Sequence, residues 1–440
     1  MRQFFLEILA LKQRPYIIAE CFVCIFLIFM LVLQGPRFAK FATLSGGMVV
    51  MTFALEALLR GHLAEHIRNL KPMIPYMMFL TLSVLLLPLI SYAGSRVWNN
   101  GTGMAILIST FLIVRKMGHT KLMDYAFPLA VIGLCFFMFI APSLIGAGAS
   151  TAGKRVNYSS AFTGGGLGAS HLSVVVGIAY FMALRGLLDG GIYLKKLLRP
   201  DTIMYLIALV FGFYLIVVRS GSRQGLIWIL IAGAFCYALY SRKNIILGIL
   251  FTIPVALVTM GVMYFFFSET QTVSRIIAIF DPFAQTFNPE QSFDYRMEMI
   301  VAGWELWQQS PLWGHGNEAF RVKADFGGFY SHNNYIELMV NYGALGLGLF
   351  YCPLLYALYA SVIGFLNHRH DQLKREYLWL AFAIVALMVS NIFMPSYYMK
   401  HVLVFMAMVL GRFYYLKDNE ARIMRHRPRM PQRNFNRRMY

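Results

Sequence analysis

The sequence predicts an all-α protein threaded many times through a membrane, and three observations carry that expectation. Hydrophobic residues make up 58% of the 440-residue chain and charged residues only 13%. Soluble domains carry roughly 25% charged residues, so most of this chain must face lipid or other helices. Apolar runs long enough to cross roughly 30 Å of hydrocarbon recur about twelve times along it. Lys and Arg gather in alternate connections between those runs, as they do in short cytoplasmic loops.

In order, the expected spans lie near 15–34, 41–59, 73–93, 101–114, 125–146, 166–184, 202–218, 224–241, 244–267, 334–364, 378–395 and 399–416. The first is long enough to span and lacks a small-residue cleavage site, so it reads as an anchor, not a cleaved signal. With Arg2, Lys12 and Arg14 on the cytoplasmic side, the loops that follow on that side carry Arg60, Arg68 and Lys71, then Arg115, Lys116 and Lys121. Lys195, Lys196 and Arg199, then Arg242 and Lys243, then Arg369, Lys374 and Arg375 continue the alternation. Both termini are therefore expected in the cytoplasm, with one membrane domain over 1–416. The tail 417–440 is basic and proline-containing, which predicts disorder against anionic lipid. Together with the +19 net charge it invites a nucleic-acid reading, but nothing beside the tail forms a readable module. Cys21, Cys24, Cys135, Cys236 and Cys352 all fall in apolar runs and read as small buried hydrophobes.

Two outward connections are long. The first, Gly146 to Ser170, is rich in Gly and Ser and holds Lys154 and Arg155; the second runs over about 268–333 and ends at His332 and Asn333. Outward positive charge runs against the positive-inside bias, so it asks for a function. Arg219 and Arg223 bracket "RSGSR" in a tight outer turn. Arg296 lies on an amphipathic segment whose Phe293, Met297, Ile300, Val301 and Trp304 form one apolar face, suited to lie on the bilayer or over a cavity. Arginine forks match phosphate oxygens bidentately and do not deprotonate, so such a cluster reads as a diphosphate clamp; the bland alternative is snorkelling to ordinary lipid phosphates.

Outside the cytoplasm a lipid diphosphate is the natural glycan donor. As the diphosphate leaves, arginines stabilise charge growing on its oxygens. A histidine among cations stays neutral near pH 7 and can take the proton of an attacking hydroxyl, which is the role expected of His332. The outward carboxylates Glu269, Asp281, Glu290, Asp294, Glu298, Glu305, Glu318 and Asp325 are scattered, with no D-x-D pair, so metal dependence is not expected. His315, in "PLWGHGNEAF", is a second candidate base that reads better as a loop residue.

The succession "SGSRQG", "YRMEMIVAGWELWQQSPLWGHGNEAF" and "SHNNYIELMVNYGALG" resembles the shared C-terminal region of the O-antigen ligases and O-antigen polymerases, over roughly 215–350. His332 and Asn333 followed by Gly343 and Gly346 are similar to a pattern associated with the ligases and common in the polymerases. The resemblance implies a C-class glycosyltransferase-like helical membrane fold in the bacterial inner membrane. It implies His332 as the base and Arg223 and Arg296, with Arg219, on the diphosphate, and metal-independent inversion without a cofactor beyond the undecaprenyl-diphosphate donor. Where many relatives have an asparagine, this chain has "GASHLS", which leaves a role for His171 open. The implied partners are the lipid-linked oligosaccharide, an acceptor glycan, the bilayer and a chain-length regulator.

Asn333 is expected to orient the imidazole or the acceptor, and Glu337, one turn on, to accept a ring N–H of His332 or to charge the helix start. Lys154 and Arg155 are expected to support the donor. Glu20 and Glu56, inside the first two spans, suggest interhelical pairing more than a proton relay. Polymerisation of O-antigen, capsule or exopolysaccharide is the favoured reading. Ligation to lipid A-core, transfer to protein serine, and a flippase that binds the same lipid without reaction are the alternatives; a flippase would spread polar residues through many spans.

Overall fold

The computed structural model describes residues 16–31, 36–85, 94–118, 121–140, 169–190, 199–216, 224–241, 289–368 and 371–425, all helix or connection with no strand among them. The helices are α1 (Ile17–Leu31), α2 (Pro36–Leu59), α3 (Leu63–Asn69), α4 (Ile74–Leu85), α5 (Gly94–Met117), α6 (Lys121–Ile140) and α7 (Ala169–Gly190). They continue as α8 (Pro200–Tyr214), α9 (Gln224–Ser241), α10 (Pro289–Gln309), α11 (Ala319–Lys323), α12 (Asn334–Asn367), α13 (Asp371–Ser390) and α14 (Lys400–Arg425). The all-α expectation holds. Among the described residues only α12 is long and apolar enough to cross a membrane, and seven shorter apolar helices accompany it; the twelve expected spans are not all present in that form.

Among the described residues the helices bury one large apolar core and two smaller clusters. α14 lies along α5, α1 pairs with α2, and α7 is flanked by α6, α8 and α9, while α12 packs on α13 and α4. Rings supply much of the fill: Trp228 of α9 is fully buried and meets Phe181 and Phe405 edge-on. Offset and edge-to-face pairs of this kind add to the area they bury. Cys135 is buried as expected, but Cys21 and Cys352 are exposed on their helices, which corrects the expectation that all five are buried.

One ion network ties three helices together. Glu376 of α13 pairs with Arg185 of α7 at 3.2 Å and Arg412 of α14 at 3.0 Å. Arg412 also donates to Gly118 O at 2.7 Å, and the Arg185 guanidinium lies 3.9 Å over the Trp379 ring. α14 continues to Arg425, nine residues past 416, and its acidic residues find partners. Asp418 pairs with Arg115 at 2.9 Å and Glu420 with His368. Residues 426–440 lie outside the described residues.

Candidate active site

The site is built where α10, α11 and the start of α12 meet. Met299, Ala319, Phe320, Ile336 and Val340 form a small buried cluster between them. Gly303 makes the crossing possible, since a Cβ there would lie 2.3 Å from Ile336 Cγ2. Arg296 stands seven residues before Gly303, two turns away on the same helical face, and is half-buried. The expected apolar face is split: Ile300 packs inward, whereas Met297, Val301 and Trp304 stay exposed.

α12 is broken nine residues in. Gly343 takes φ 65°, ψ −168°, a combination open essentially only to glycine. The break frees backbone groups that must find partners, and the turn after α10 supplies them. His315 N–H and Gly316 N–H donate to Val340 O and Asn341 O, each at 2.8 Å. In the other direction Ala344 N–H donates to Pro311 O at 2.8 Å and Leu345 N–H to Leu312 O at 3.2 Å. The two backbones touch, so Gly314 is required as well: its Cβ would fall 2.5 Å from Gly343 N. The Gly343/Gly346 spacing noticed in the sequence therefore marks a helix break, with Gly346 making room for Tyr342.

His332 sits at the head of this broken helix with φ 55°, a left-handed conformation uncommon outside glycine. Both neighbours hold it there. Asn333 is the N-cap, its Oδ1 accepting Tyr335 N–H at 2.9 Å and Ile336 N–H at 3.2 Å, as short polar caps do. Ser331, on the other side, donates its N–H to Glu337 Oε2 at 2.9 Å. Its Oγ lies 2.9 Å from the same oxygen and 2.7 Å from Asn333 O. Glu337 is fully buried. Its bonds go to Ser331 and not to the imidazole, which corrects the expectation that it sets the tautomer of His332. Asn333 likewise spends its side-chain oxygen on the helix cap and not on the imidazole, because a helix start leaves N–H groups that need acceptors.

Rings and charge surround the imidazole. Tyr330 lies 4.3 Å from the His332 ring, centroid to centroid, and the Arg321 guanidinium sits 5.5 Å over Tyr330. Arg321 pairs with Glu318 at 3.3 Å. Burial is the largest single influence and works against its charge, but Glu318 first, with Tyr398, Glu337 and Tyr397 added, together outweigh it and hold its pKa above the ordinary arginine value.

Both ring nitrogens of His315 have partners within the fold. Its Nε2 lies 2.7 Å from Leu306 O and its Nδ1 2.9 Å from Lys323 Nζ; since the carbonyl can only accept and the ammonium only donate, the ring is the Nε2–H tautomer with both nitrogens engaged.

The expected clamp is described only in part. Arg296 is present on α10, whereas Arg219, Arg223, Lys154 and Arg155 lie outside the described residues, and of His171 only its place in the first turn of α7 is described. Among the described residues no three His, Cys, Asp or Glu side chains gather as metal ligands.

Sequence reasoning missed the buried polar network beneath the site. Asn334 is fully buried: its Nδ2 donates to Tyr351 OH at 2.7 Å, and its Oδ1 accepts Ser396 N–H at 2.6 Å and Tyr397 N–H at 3.1 Å. Its backbone N–H donates to Asn391 O at 2.8 Å, Asn391 Nδ2 donates to Tyr351 OH at 2.9 Å, and Asn341 Nδ2 to Tyr397 OH at 3.1 Å. The connection 391–399 is thereby fastened to the helix that carries His332. A polar "N…PS" interruption between two apolar runs was the only signal available.

A helical chain with a histidine in the left-handed conformation at the head of a broken helix, and an arginine-bearing helix packed beside that helix, is what these features define. Residues 207–351 match the family model of the O-antigen ligases, glycosyltransferase-like enzymes of the inner membrane. The matched segment contains Arg296, Gly314, His332, Asn333 and Gly343, and it agrees with the O-antigen ligase and polymerase family that the sequence resembles. No curated protein matches the chain.

Proposed function

We propose that the chain is a membrane glycosyltransferase that moves a glycan from undecaprenyl diphosphate to an acceptor sugar hydroxyl on the outer face of the bacterial inner membrane, and that it polymerises repeat units. The observation that carries this is His332 itself. It is held in a costly left-handed conformation by Ser331, Glu337 and the Asn333 cap, and strain of this kind concentrates at functional sites. His332 accepts the acceptor hydroxyl proton as the new bond from that oxygen to the anomeric carbon forms. The bond from that carbon to the diphosphate breaks, and undecaprenyl diphosphate leaves with the electron pair, so a single displacement inverts the centre. Arg296, together with Arg219 and Arg223, would neutralise the charge that develops on the leaving oxygens.

The test supplies purified protein with undecaprenyl-diphosphate-linked repeat units, no nucleotide and excess chelator, and looks for a ladder of longer glycans. His332→Ala should lower turnover by roughly 10²- to 10⁴-fold, the scale of losing a general base, with donor binding retained; near-normal turnover would remove His332 from this role. The matched family is described by ligation, so lipid A-core is the acceptor to try if wild-type protein yields no ladder.

A further inference from the structure

α12 is too long for the membrane it crosses. Its 34 residues extend about 51 Å at 1.5 Å per residue, against roughly 30 Å of hydrocarbon. The Gly343 break divides it into two chemically distinct halves. Before the break stand Asn334, Glu337 and Asn341, all fully buried in protein. After it, Ala344 to Leu366 carries no charged side chain and spans about 34 Å, enough to cross by itself. Polar side chains that need protein partners and a run that needs none meet at Gly343.

The turn after α10 is fixed at that same level. Leu312 O accepts from Leu345 N–H and Pro311 O from Ala344 N–H, the first two residues of the uncharged run. The side chains that this pairing carries there are Leu312 and Trp313, 54% and 53% exposed. Apolar and indole side chains left uncovered at the mouth of a membrane span have one natural neighbour, the lipid interface, where tryptophan is enriched. α10 lies farther out: Gly303 meets Ile336, seven residues before the break, or up to about 10 Å along the helix axis.

From this geometry we infer that the hydrocarbon boundary falls at Gly343, that Leu312 and Trp313 are seated in the outer leaflet as an interfacial wedge, and that α10 stands above it, with Trp304 in the aqueous or outer headgroup zone. This rests on the membrane and orientation reading above, but not on any assignment of catalytic residues.

The test uses the full chain in nanodiscs of phosphatidylcholine brominated near the carbonyl end of the acyl chains, with iodide as the aqueous quencher. Trp313→Phe and Trp304→Phe are compared with wild type, conservative changes at exposed positions. Trp313→Phe should remove emission that brominated lipid quenches and iodide does not, and Trp304→Phe should remove emission with the opposite sensitivity. Equal lipid quenching of both tryptophans, or iodide quenching of Trp313, would overturn the boundary. Protection of Trp313 from both quenchers would mean that protein covers it, and would overturn the lipid assignment. If no tryptophan responds to brominated lipid, the membrane reading itself fails, an outcome distinct from a misplaced boundary.

Discussion

Replacing Gly343 by alanine tests the feature on which the site depends. The backbone there, φ 65° and ψ −168°, costs a non-glycine residue roughly 1–3 kcal/mol. The new methyl would also stand 2.2 Å from Leu312 O, about 1 Å inside ordinary contact, and overpacking of that kind adds roughly 1–3 kcal/mol. The expected destabilisation is therefore about 2–6 kcal/mol, relieved by straightening α12 or by expelling the 311–316 turn. Gly348→Ala is the control on the same helix, since nothing lies within 4 Å of its Cβ, and it should be neutral or stabilise by up to about 1 kcal/mol. Hydrogen exchange followed by mass spectrometry reads the mechanism directly. In Gly343→Ala the amides of His315, Gly316, Ala344 and Leu345 should lose protection, while the end of α12 far from the break keeps it. Turnover should fall as well, because a displacement near 1 Å at a catalytic group can cost about 10²-fold. Equal protection and equal thermal inactivation rates in the two variants would refute the helix break.

Glu376→Gln should destabilise the bundle by roughly 3–5 kcal/mol, because it leaves Arg185 and Arg412 without the charge that neutralises them; faster thermal inactivation in detergent checks it, and unchanged rates would show that the network contributes nothing. Asn334→Ala should free the 391–399 connection from α12 and cost about 1–3 kcal/mol through the backbone donors of Ser396 and Tyr397 left unpaired, read as lost amide protection at those two residues. Arg296→Ala should weaken capture of the lipid-diphosphate donor with little change in protein stability, and an unaltered donor affinity would remove Arg296 from the clamp.

The readable parts of the site were those encoded locally. His332, Asn333 and the Gly343/Gly346 spacing stand within fifteen residues of one another. The role of Glu337 was not readable. Its distance along the helix allowed a bond to His332 or a charge at the helix start, and only the path of the preceding loop sent its carboxylate to Ser331. The same holds for His315, whose two nitrogens are engaged by Leu306 and Lys323 once the turn folds back on α10.

By itself the sequence determined that the chain is helical and strongly apolar, and which histidine stands at the end of the long segment before α12; the facing of its loops is an expectation from charge bias. These follow from hydropathy, charge and short spacings, all of which are local and one-dimensional. Only the tertiary structure decided that α12 breaks at Gly343, that the turn after α10 fills the broken ladder, and that Asn334 binds residues 391–399. Each depends on backbone or amide groups meeting across an intervening stretch of chain. Every residue carries such groups, so composition cannot say which will meet; that selection is made by packing, where Gly314 and Gly343 let two backbones come close enough to bond.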